Sequence, residues 1–306
     1  MSSILTNTAA MTALKNLQAT NQALQDTQNR ISTGLKVNSA ADNAGYWSIA
    51  TTMRSDKSAL DTVNSALGVG NSAVGTAYNG VNSAISVAQK LKDQLTAAAQ
   101  AGSDRAKIQA QITQYQDQLQ QIADGSNFNG QNIVSVNSGA TGYNATDSIM
   151  SSYTRSSSGV SIGTIDIDVT STKLFDSNDK SGILDKNFTN GTATSVSVKT
   201  LDISALTDSS TDQTTLQDMI AGVDDAIKSM TTSAANLGAV QSRIKDQQTF
   251  ISSLSDSLAT GISSLVDADM TTESTKLQAL QVQQQLGTQA LSIANQSSQS
   301  ILKLFQ

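Results

Sequence analysis

Apolar residues recur at every seventh position through two long segments of the chain. Six successive heptad positions are apolar in the N-terminal half, and eight are apolar in the C-terminal half. This repeat is typical of helices that pack as coiled coils. At 1.5 Å per residue the second helix would be about 75 Å long, so it needs another long helix beside it. The seam positions are Leu60, Leu67, Val74, Val81, Ala88 and Leu95 in the first segment, and Leu216, Val223, Met230, Leu237, Ile244, Ile251, Leu258 and Leu265 in the second.

A shorter helix follows the first heptad segment. The tripeptide Gly102-Ser103-Asp104 predicts a break and a new N-cap, and apolar residues then step by three and four from Ile108 to Ile122. Asp124-Gly125 predicts the end of this helix, and Asn129-Gly130 predicts a hairpin turn. We therefore expect a second helix that returns along the first.

The middle of the chain has a different composition. Gln is frequent up to Gln131, absent from 132 to 212, and frequent again from Gln213. Short alternating runs at 160–162, 165–169 and 196–198 are typical of strands. The predicted fold is therefore mainly α, with a long antiparallel helical hairpin or coiled-coil core from both chain ends and a small, mostly β central insert.

The two chain ends also carry heptads but almost no charge. Leu17, Leu24 and Ile31 share one phase near the start, and residues 277–302 contain no charged residue. One interpretation is that these ends fray. The other, which the heptads favour, is that both ends are amphipathic helices that pack only when other copies surround them. Their many Gln and Ser residues exclude a membrane span.

Composition removes most catalytic chemistry. The chain has no Cys, no His and no Pro, and its net charge is −6. Thiol nucleophiles, imidazole bases and His or Cys metal sites are therefore excluded. The charge pattern does not predict nucleic-acid binding. Residues 1–14 have neither a basic residue nor a long apolar run, which argues against a cleaved signal peptide.

Two carboxylate pairs are candidate chemical sites. Asp166 with Asp168, and Asp224 with Asp225, have the residue type for a divalent ion or for acid–base work. The simpler interpretation is that each pair lies on a solvated strand or helix face. No nucleotide-binding, calcium-binding or hydrolase motif is present. The sequence therefore predicts no catalytic residue, no metal and no cofactor.

One tract of the N-terminal region carries a specific resemblance. It is similar to the bacterial flagellin signature L-E-R-L-S-S-G-L-R-I-N-S-A-K-D-D-A, and the C-terminal region agrees at Asn236-Leu237-Gly238-Ala239, at Arg243-Ile244 and at Ala294-Asn295-Gln296. The resemblance covers about the first 140 and last 95 residues. The variant at 44–50 is similar to the alphaproteobacterial type. The matching tract reads Gln28-Asn29-Arg30-Ile31-Ser32-Thr33-Gly34-Leu35-Lys36-Val37-Asn38-Ser39-Ala40-Ala41-Asp42-Asn43-Ala44.

This resemblance implies a secreted structural subunit that self-assembles into the flagellar filament for swimming motility, after export through the flagellar type III apparatus. Residues 1–40 and 270–306 would be terminal helices lining the inner tube. Residues 41–136 and 213–269 would form the coiled-coil core domain with a β-hairpin, and 137–212 a small, β-rich, surface-exposed outer domain. Implied partners are other flagellin subunits in a homopolymer or heteropolymer, the flagellar cap, the hook–filament junction and an export chaperone, without nucleic acid or membrane insertion.

The resemblance also assigns roles to individual residues. A hinge motif between terminal and core helices is implied to serve subunit packing, and a surface on the first long helix corresponds to the face that flagellins present to an animal receptor. Lys90 stands there in place of Arg and Gln94 in place of Leu. The hinge residues are Arg30, Gly34, Asn38, Ser39, Ala40 and Asp42, and the receptor-facing residues are Gln89, Lys90, Leu91 and Asp93.

Three other classes remain as alternatives. A hook–filament junction protein shares the helical plan, and other secreted coiled-coil surface proteins share the heptads. An enzyme within the insert is the third, although the absence of His and an insert of only about 75 residues oppose it.

Overall fold

A computed structural model describes residues 7–156, 158–188 and 196–304, with side chains described as far as Gln296. Helices dominate it, and the strands belong to two small sheets. The mainly α fold with a small β insert is therefore confirmed. The elements are α1 (Thr8–Thr33), α2 (Ala44–Ala98), α3 (Arg105–Gly125), β1 (Ser135–Val136), β2 (Thr146–Ser156), β3 (Gly159–Asp168), α4 (Val169–Thr172), β4 (Phe175–Asp176), α5 (Ser210–Val266) and α6 (Met270–Leu304).

The chain divides into two compact units. Unit 1 comprises residues 1–58 and 255–306, and unit 2 comprises residues 59–254. Unit 1 contains α1, α6, the first residues of α2 and the last residues of α5. Unit 2 contains the rest of α2 and α5, together with α3, α4 and all four strands. Because the strands share a unit with helices, the predicted division into core and outer domains stays a prediction.

In unit 2, α2 and α5 pack as antiparallel neighbours. A methyl group added at Gly75 would lie 3.0 Å from Gln241 Nε2, and one added at Gly68 would lie 3.8 Å from Gln248 Nε2. As the position on α2 falls by seven, its partner on α5 rises by seven. This is the antiparallel pairing that the two heptad segments require.

The breaks between helices lie where the sequence predicts them. Gly102, at φ +79°, separates α2 from α3, and the Asp104 side chain caps α3 by accepting a hydrogen bond from the Lys107 amide at 3.2 Å. The helix α3 ends at Gly125, and Phe128 and Gln131 pair across Asn129-Gly130. Both turn residues have positive φ, at 51° and 84°, which is typical of a two-residue hairpin turn.

The strands form one antiparallel hairpin and one short parallel pair. Strand β2 pairs with β3 from Thr146 opposite Asp168 to Ser156 opposite Gly159, with a register shift between Met150 and Ser152. Strands β1 and β4 pair in parallel over two residues each. Two of the three predicted alternating runs, 160–162 and 165–169, contribute to β3, whose last residue is Asp168.

The third run, 196–198, was wrongly predicted as a strand. Val196 makes a single bridge with Phe188, and the chain then turns. The Ser197 amide donates to Thr200 Oγ1 at 3.1 Å, and the Thr200 amide donates to the Ser197 carbonyl at 3.1 Å. Hydroxyl groups that bond the nearby backbone compete with strand pairing, and here they hold a turn.

The insert packs directly on the helices of unit 2. A methyl group at Gly70 on α2 would lie 2.6 Å from Ile149 Cγ2, and one at Gly222 on α5 would lie 2.4 Å from Phe188 Cδ2. Both glycines thus leave room for an apolar side chain of the insert. Ile149, Ile165 and Ile167 are buried, so the base of the hairpin belongs to the core of this unit.

Candidate functional site

The hinge tract forms a joint at which both chain ends interrupt their helices. Gly34 ends α1 in the left-handed region, at φ +72°, where a side chain would be strained. The Lys36 amide donates to the Val266 carbonyl at 2.7 Å, and the Ala268 amide donates to the Gly34 carbonyl at 2.8 Å. Leu35 also bridges Asp267. These bonds join the α1–α2 connection to the α5–α6 connection within unit 1.

A small apolar cluster lies beneath the joint. Val37, Ala50, Ile262 and Val266 are buried in it, at 1 to 8% exposure, and three half-buried side chains pack against them. It draws on the α1–α2 connection and on the end of α5, so burial of this cluster stabilises the joint in addition to the backbone bonds. The three surrounding residues are Leu35, Met53 and Leu265.

Asp42 organises the turn that leads into α2. Its Oδ2 atom accepts hydrogen bonds from the Asn38 amide at 3.0 Å, the Ser39 amide at 2.9 Å and the Ser39 hydroxyl at 3.1 Å. The Ser39 amide, followed by the Asn38 amide, holds the pKa of the Asp42 carboxyl below its ordinary value. The motif thus places an exposed carboxylate around which the backbone of 38–42 turns, and Ala40 lies exposed on that turn.

Arg30 joins the two terminal helices. Its Nη1 atom lies 3.2 Å from Oε1 of Glu273, the only Glu in the chain. The Glu273 side chain is 11% exposed, and among the described residues its Oε2 atom has no hydrogen-bond partner. Thr27, one turn before Arg30, is also buried with an unbonded hydroxyl. The pair fixes one level of the α1–α6 packing.

The other end of the helix pair is held by amide side chains. Asn7 Nδ2 donates to the Ala294 carbonyl at 3.0 Å, and Gln284 Nε2 donates to Asn21 Oδ1 at 2.7 Å. With the Arg30 pair, these bonds show that α1 and α6 run antiparallel within unit 1. Leu17 lies against Gly287, where an added methyl group would come within 3.2 Å of its Cδ1 atom.

The terminal helices expose several large apolar side chains. We call the set formed by Met11, Leu14, Val282, Leu286 and Ile293 the terminal strip; its members are 45 to 66% exposed. A groove of about 690 Å³ lies between α1 and α6 beside it, lined largely by small residues. Unpartnered apolar surface of this kind is typical of protein–protein contacts.

The predicted seam residues lie where the periodicity places them, with two partial exceptions. Twelve of the fourteen are at most 4% exposed, whereas Leu258 and Leu265 are half-buried. Both lie in unit 1, in the last turns of α5. The twelve buried residues are Leu60, Leu67, Val74, Val81, Ala88, Leu95, Leu216, Val223, Met230, Leu237, Ile244 and Ile251.

The surface assigned to a receptor needs one correction. Gln89, Lys90 and Asp93 are exposed on α2, but Leu91 is fully buried at 0% exposure. A buried side chain cannot face a receptor, so its inclusion was wrong. Leu91 falls in the companion heptad phase with Ala84 and Ala98, which are also buried, and this is the physical reason.

The candidate carboxylates form hydrogen bonds and ion pairs with side chains and backbone amides of this chain. Asp166 accepts from the Ser148 hydroxyl at 2.8 Å, and Asp168 caps α4 through the Thr170 amide at 2.9 Å. Asp224 binds Lys92 at 2.5 Å and Lys228 at 2.9 Å, and these lysines lower its pKa to about 2. Within the described ranges, no three His, Cys, Asp or Glu side chains are grouped as a metal ion would need.

Two buried polar anchors in unit 2 had no clear signal in the sequence. Arg105 is 7% exposed and binds Asp208 at 2.7 Å, while its Nε donates to the Ala98 carbonyl at 3.1 Å. It thereby joins the end of α2 to the segment before α5. Neither residue has a periodic position, and the pairing spans about a hundred residues, so no local pattern could have revealed it.

The second anchor lies in the insert. Lys173 binds the fully buried Asp176 at 2.7 Å, and Asp185 Oδ2 accepts the Asp176 amide at 2.8 Å. Burial acts to raise the pKa of Asp176, but the Lys173 ammonium and the Ser138 amide hold it well below its ordinary value. Burial raises the pKa of Asp185. This network adds satisfied polar contacts to an irregular segment whose core also contains the buried side chains of Leu174 and Leu184.

Comparison with known proteins places both chain ends in one family. The profile of the bacterial flagellin N-terminal helical region matches residues 4–139, and that of the bacterial flagellin C-terminal helical region matches residues 220–305. Flagellin C and Flagellin A of Rhizobium meliloti (strain 1021) are 44% and 39% identical, each over the whole of both chains.

One further relative agrees with this, and one solved structure is similar in part. A flagellin of Brucella melitensis biotype 1 is 40% identical over the whole of both chains. The crystal structure of a Bacillus cereus flagellin covers 63% of this chain and 88% of its own, with 21% identity and a TM-score of 0.36.

Proposed function

The chain belongs to the bacterial flagellin family, and from that premise we propose that the terminal strip forms the contacts between copies in the filament. The protein is of the alphaproteobacterial type. It is a structural subunit of the extracellular flagellar filament, where it polymerises with other flagellin subunits for motility. The observation that carries the proposal is the exposure of five large apolar side chains on α1 and α6.

The exposed strip differs from the usual surface of a helix pair. Ile293 and Leu286 are 66% and 58% exposed, and Met11 is 56% exposed on the neighbouring helix. Burying one such side chain contributes about 1.5–3 kcal/mol. Repeated along a polymer, several of these contacts for each subunit give a strong tendency to assemble.

In this proposal the joint holds the two helix connections in place. Arg30, Gly34 and Asp42 hold the α1–α2 connection, and the backbone bonds to Val266 and Ala268 hold the α5–α6 connection. Asn38, Ser39 and Ala40 are exposed on the turn, together with Tyr46, Trp47 and Ile49 just after it. We assign this exposed set to packing between subunits, because large apolar residues rarely cluster on a surface without a partner.

The same proposal gives each segment of the chain a place in the filament. Residues 1–40 and 270–306 line the inner tube, 41–136 and 213–269 form the coiled-coil wall, and 137–212 face the exterior. Further partners in this proposal are the flagellar cap, the hook–filament junction and an export chaperone. The relatives carry flagellin names, and the sequence lacks His and Cys, which supports a subunit without enzymatic activity. Nothing favours a junction protein or another coiled-coil surface protein.

The terminal strip is tested by the double variant Leu286→Gln and Ile293→Gln. Both side chains are exposed in the monomer, so we expect its circular dichroism and Tm to stay unchanged. Seeded elongation should need about a hundredfold more protein, since each lost apolar contact costs about tenfold. The matched control is Val160→Gln with Ile162→Gln, which changes two apolar residues of similar exposure, 52% and 57%, on β3. Normal elongation of the first variant would contradict the proposal.

A further inference from the structure

The methionines of this chain fall into three groups by exposure. Met219 and Met230 in α5 are buried, at 4% and 0% exposure, and Met53 and Met150 are half-buried. Met11 in α1 and Met270 at the start of α6 are 56% and 46% exposed. Among the six methionines that the structure describes, the two exposed ones therefore both lie on the terminal helices.

We propose that Met11 and Met270 are two oxidation sites for two-electron oxidants such as hydrogen peroxide, and that their oxidation prevents a free subunit from joining a filament. The proposal rests on the proposed role of the terminal helices in subunit contacts. Oxidation would take place on the free subunit, before its terminal helices contact other copies.

The chemistry needs only the thioether and the oxidant. The lone pair of the methionine Sδ atom attacks one peroxide oxygen, the O–O bond breaks, and water leaves. The sulfur loses two electrons and becomes a sulfoxide, while the peroxide is reduced. With no Cys in the chain, no thiol competes for the oxidant, so methionine is where sulfur oxidation begins.

The position of Met11 explains why a sulfoxide would matter. Leu14 lies three residues further along α1, so the two side chains share one helix face and one continuous apolar surface. A sulfoxide is polar and accepts hydrogen bonds, and burying it against another apolar helix without a donor is unfavourable. Oxidation would therefore weaken subunit contacts while leaving the fold of the monomer intact.

Met270 lies at the other end of the antiparallel helix pair. It is the first residue of α6, directly after Asp269, whose side chain caps the helix by accepting from the Thr271 amide at 2.9 Å. Glu273, the partner of Arg30, follows one turn later. A sulfoxide at Met270 would thus change the surface next to the joint. Oxidation of Met11 and Met270 therefore affects opposite ends of the α1–α6 pair.

The buried methionines supply an internal control. Met230 has no exposed surface and lies in the heptad seam of α5, so peroxide reaches it only after local opening of unit 2. The order of oxidation should therefore be Met11 and Met270 first, Met53 and Met150 next, and Met219 and Met230 last. In assembled filaments Met11 and Met270 should both react more slowly than in the monomer.

The test treats purified monomer with hydrogen peroxide and follows each methionine by peptide mass spectrometry. We expect sulfoxide to form at Met11 and Met270 at least about tenfold faster than at Met230, since rate follows exposure. Seeded elongation should fall about tenfold or more as these two sites react. Each variant is compared with its own untreated sample. A Met11→Leu and Met270→Leu variant, in which volume is nearly conserved, should lose no further elongation after the same treatment, and Met150→Leu should not protect.

Several outcomes would overturn the proposal. Unchanged elongation of monomer that is fully oxidised at both sites would do so, and so would equal loss of elongation in the leucine variant. If that variant elongates poorly without oxidant, wild-type protein is oxidised and then reduced by methionine sulfoxide reductases. Restored elongation supports the proposal, and continued failure overturns it. Because the glutamine variants of Leu286 and Ile293 test the strip without oxidant, failure of the oxidation site and failure of the proposed function are distinguishable.

Discussion

Units 1 and 2 are both built on heptad helices, but only unit 2 buries nearly all of its large apolar residues, whereas the heptad residues of α1 in unit 1 are half-buried. In unit 2, Leu67, Val74, Leu237 and Ile244 are fully buried. In the terminal helices of unit 1, Leu286 and Ile293 are more than half exposed. The same period therefore indicates in both places that a helix needs a partner. It does not say whether that partner lies in the same chain.

The difference has a physical origin in the number of partners within the chain. In unit 2, α2 and α5 meet each other and also the insert, whose Ile149 and Phe188 fill the space beside Gly70 and Gly222. Among the described residues, α1 and α6 pack chiefly on each other, through Leu17 beside Gly287 and through Asn and Gln side chains and one ion pair. Unit 2 is thus complete in the monomer, whereas the terminal helices keep surface for other copies.

The largest expected effect comes from placing a charge in the completed seam. Leu237→Asp would bury a carboxylate at a position with 0% exposure, away from the water that would hydrate it. We expect a loss of about 3–5 kcal/mol in the free energy of unfolding, which is enough to abolish a cooperative thermal transition in unit 2. Denaturant titration followed by circular dichroism measures this.

The matched control for this change is Val69→Asp. Val69 also lies on a long helix of unit 2, but its side chain is 58% exposed, so we expect a change within about 0.5 kcal/mol. If both variants were equally stable, the seam assigned to unit 2 would be wrong, and the contrast between the units would disappear.

A smaller effect is expected at the ion pair that joins α1 and α6. Arg30→Ala leaves Glu273, whose side chain is 11% exposed, without its cation. An unsatisfied buried acceptor costs about 1–3 kcal/mol. We therefore expect faster amide hydrogen exchange in α1 and α6 while exchange in the middle of α5 is unchanged.

The companion variant is Glu273→Gln, which keeps the shape of the side chain but removes its charge. It should cost less than Arg30→Ala, and the double variant Arg30→Ala with Glu273→Gln should recover part of the loss. This recovery separates a real coupling from the simple removal of two side chains. Unchanged protection of both helices in Arg30→Ala would show that the ion pair does not hold them.

The helices could be predicted because their signals are local and periodic. The break at Gly102, the cap at Asp104 and the end of α3 at Gly125 follow from residues within one or two turns. The burial of Leu91 also followed from its heptad phase, and the error arose from placing it on a surface by resemblance. Periodicity was the better guide to the orientation of this side chain.

The insert was harder to predict because its order comes from distant polar pairs. Residues 196–198 alternate like a strand, but hydroxyl groups at Ser197 and Thr200 hold a turn instead. The buried pair of Lys173 and Asp176 depends on Asp185, nine residues on, and has no period at all. The joint was only partly predictable: the motif located it, but the bonds from Lys36 to Val266 require both chain ends.

The smallest effect concerns a surface ion-pair network that sharpens the description of unit 2. Lys92 on α2 and Lys228 on α5 both bind Asp224, and these hydrogen bonds lower the pKa of its carboxyl from 3.8 to about 2. Because the pKa is lower in the folded state, the contribution to stability is present above the ordinary value and is lost as the pH falls toward 2. Asp224→Asn removes this contribution.

We therefore expect Asp224→Asn to have a lower Tm than the wild type near pH 7, with a difference that shrinks below pH 4 and disappears as the pH falls through 2. Asp225→Asn is the control, because Asp225 is 70% exposed and binds only Lys228, at 3.2 Å, among the ion pairs described. The network is at the surface, so salt should screen it and shrink the difference at pH 7. A difference between wild type and Asp224→Asn that was as large at pH 2 as at pH 7 would mean that Asp224 stabilises α2 and α5 by packing. The ion pairs of Asp224 would then not contribute to the stability of the α2–α5 pair.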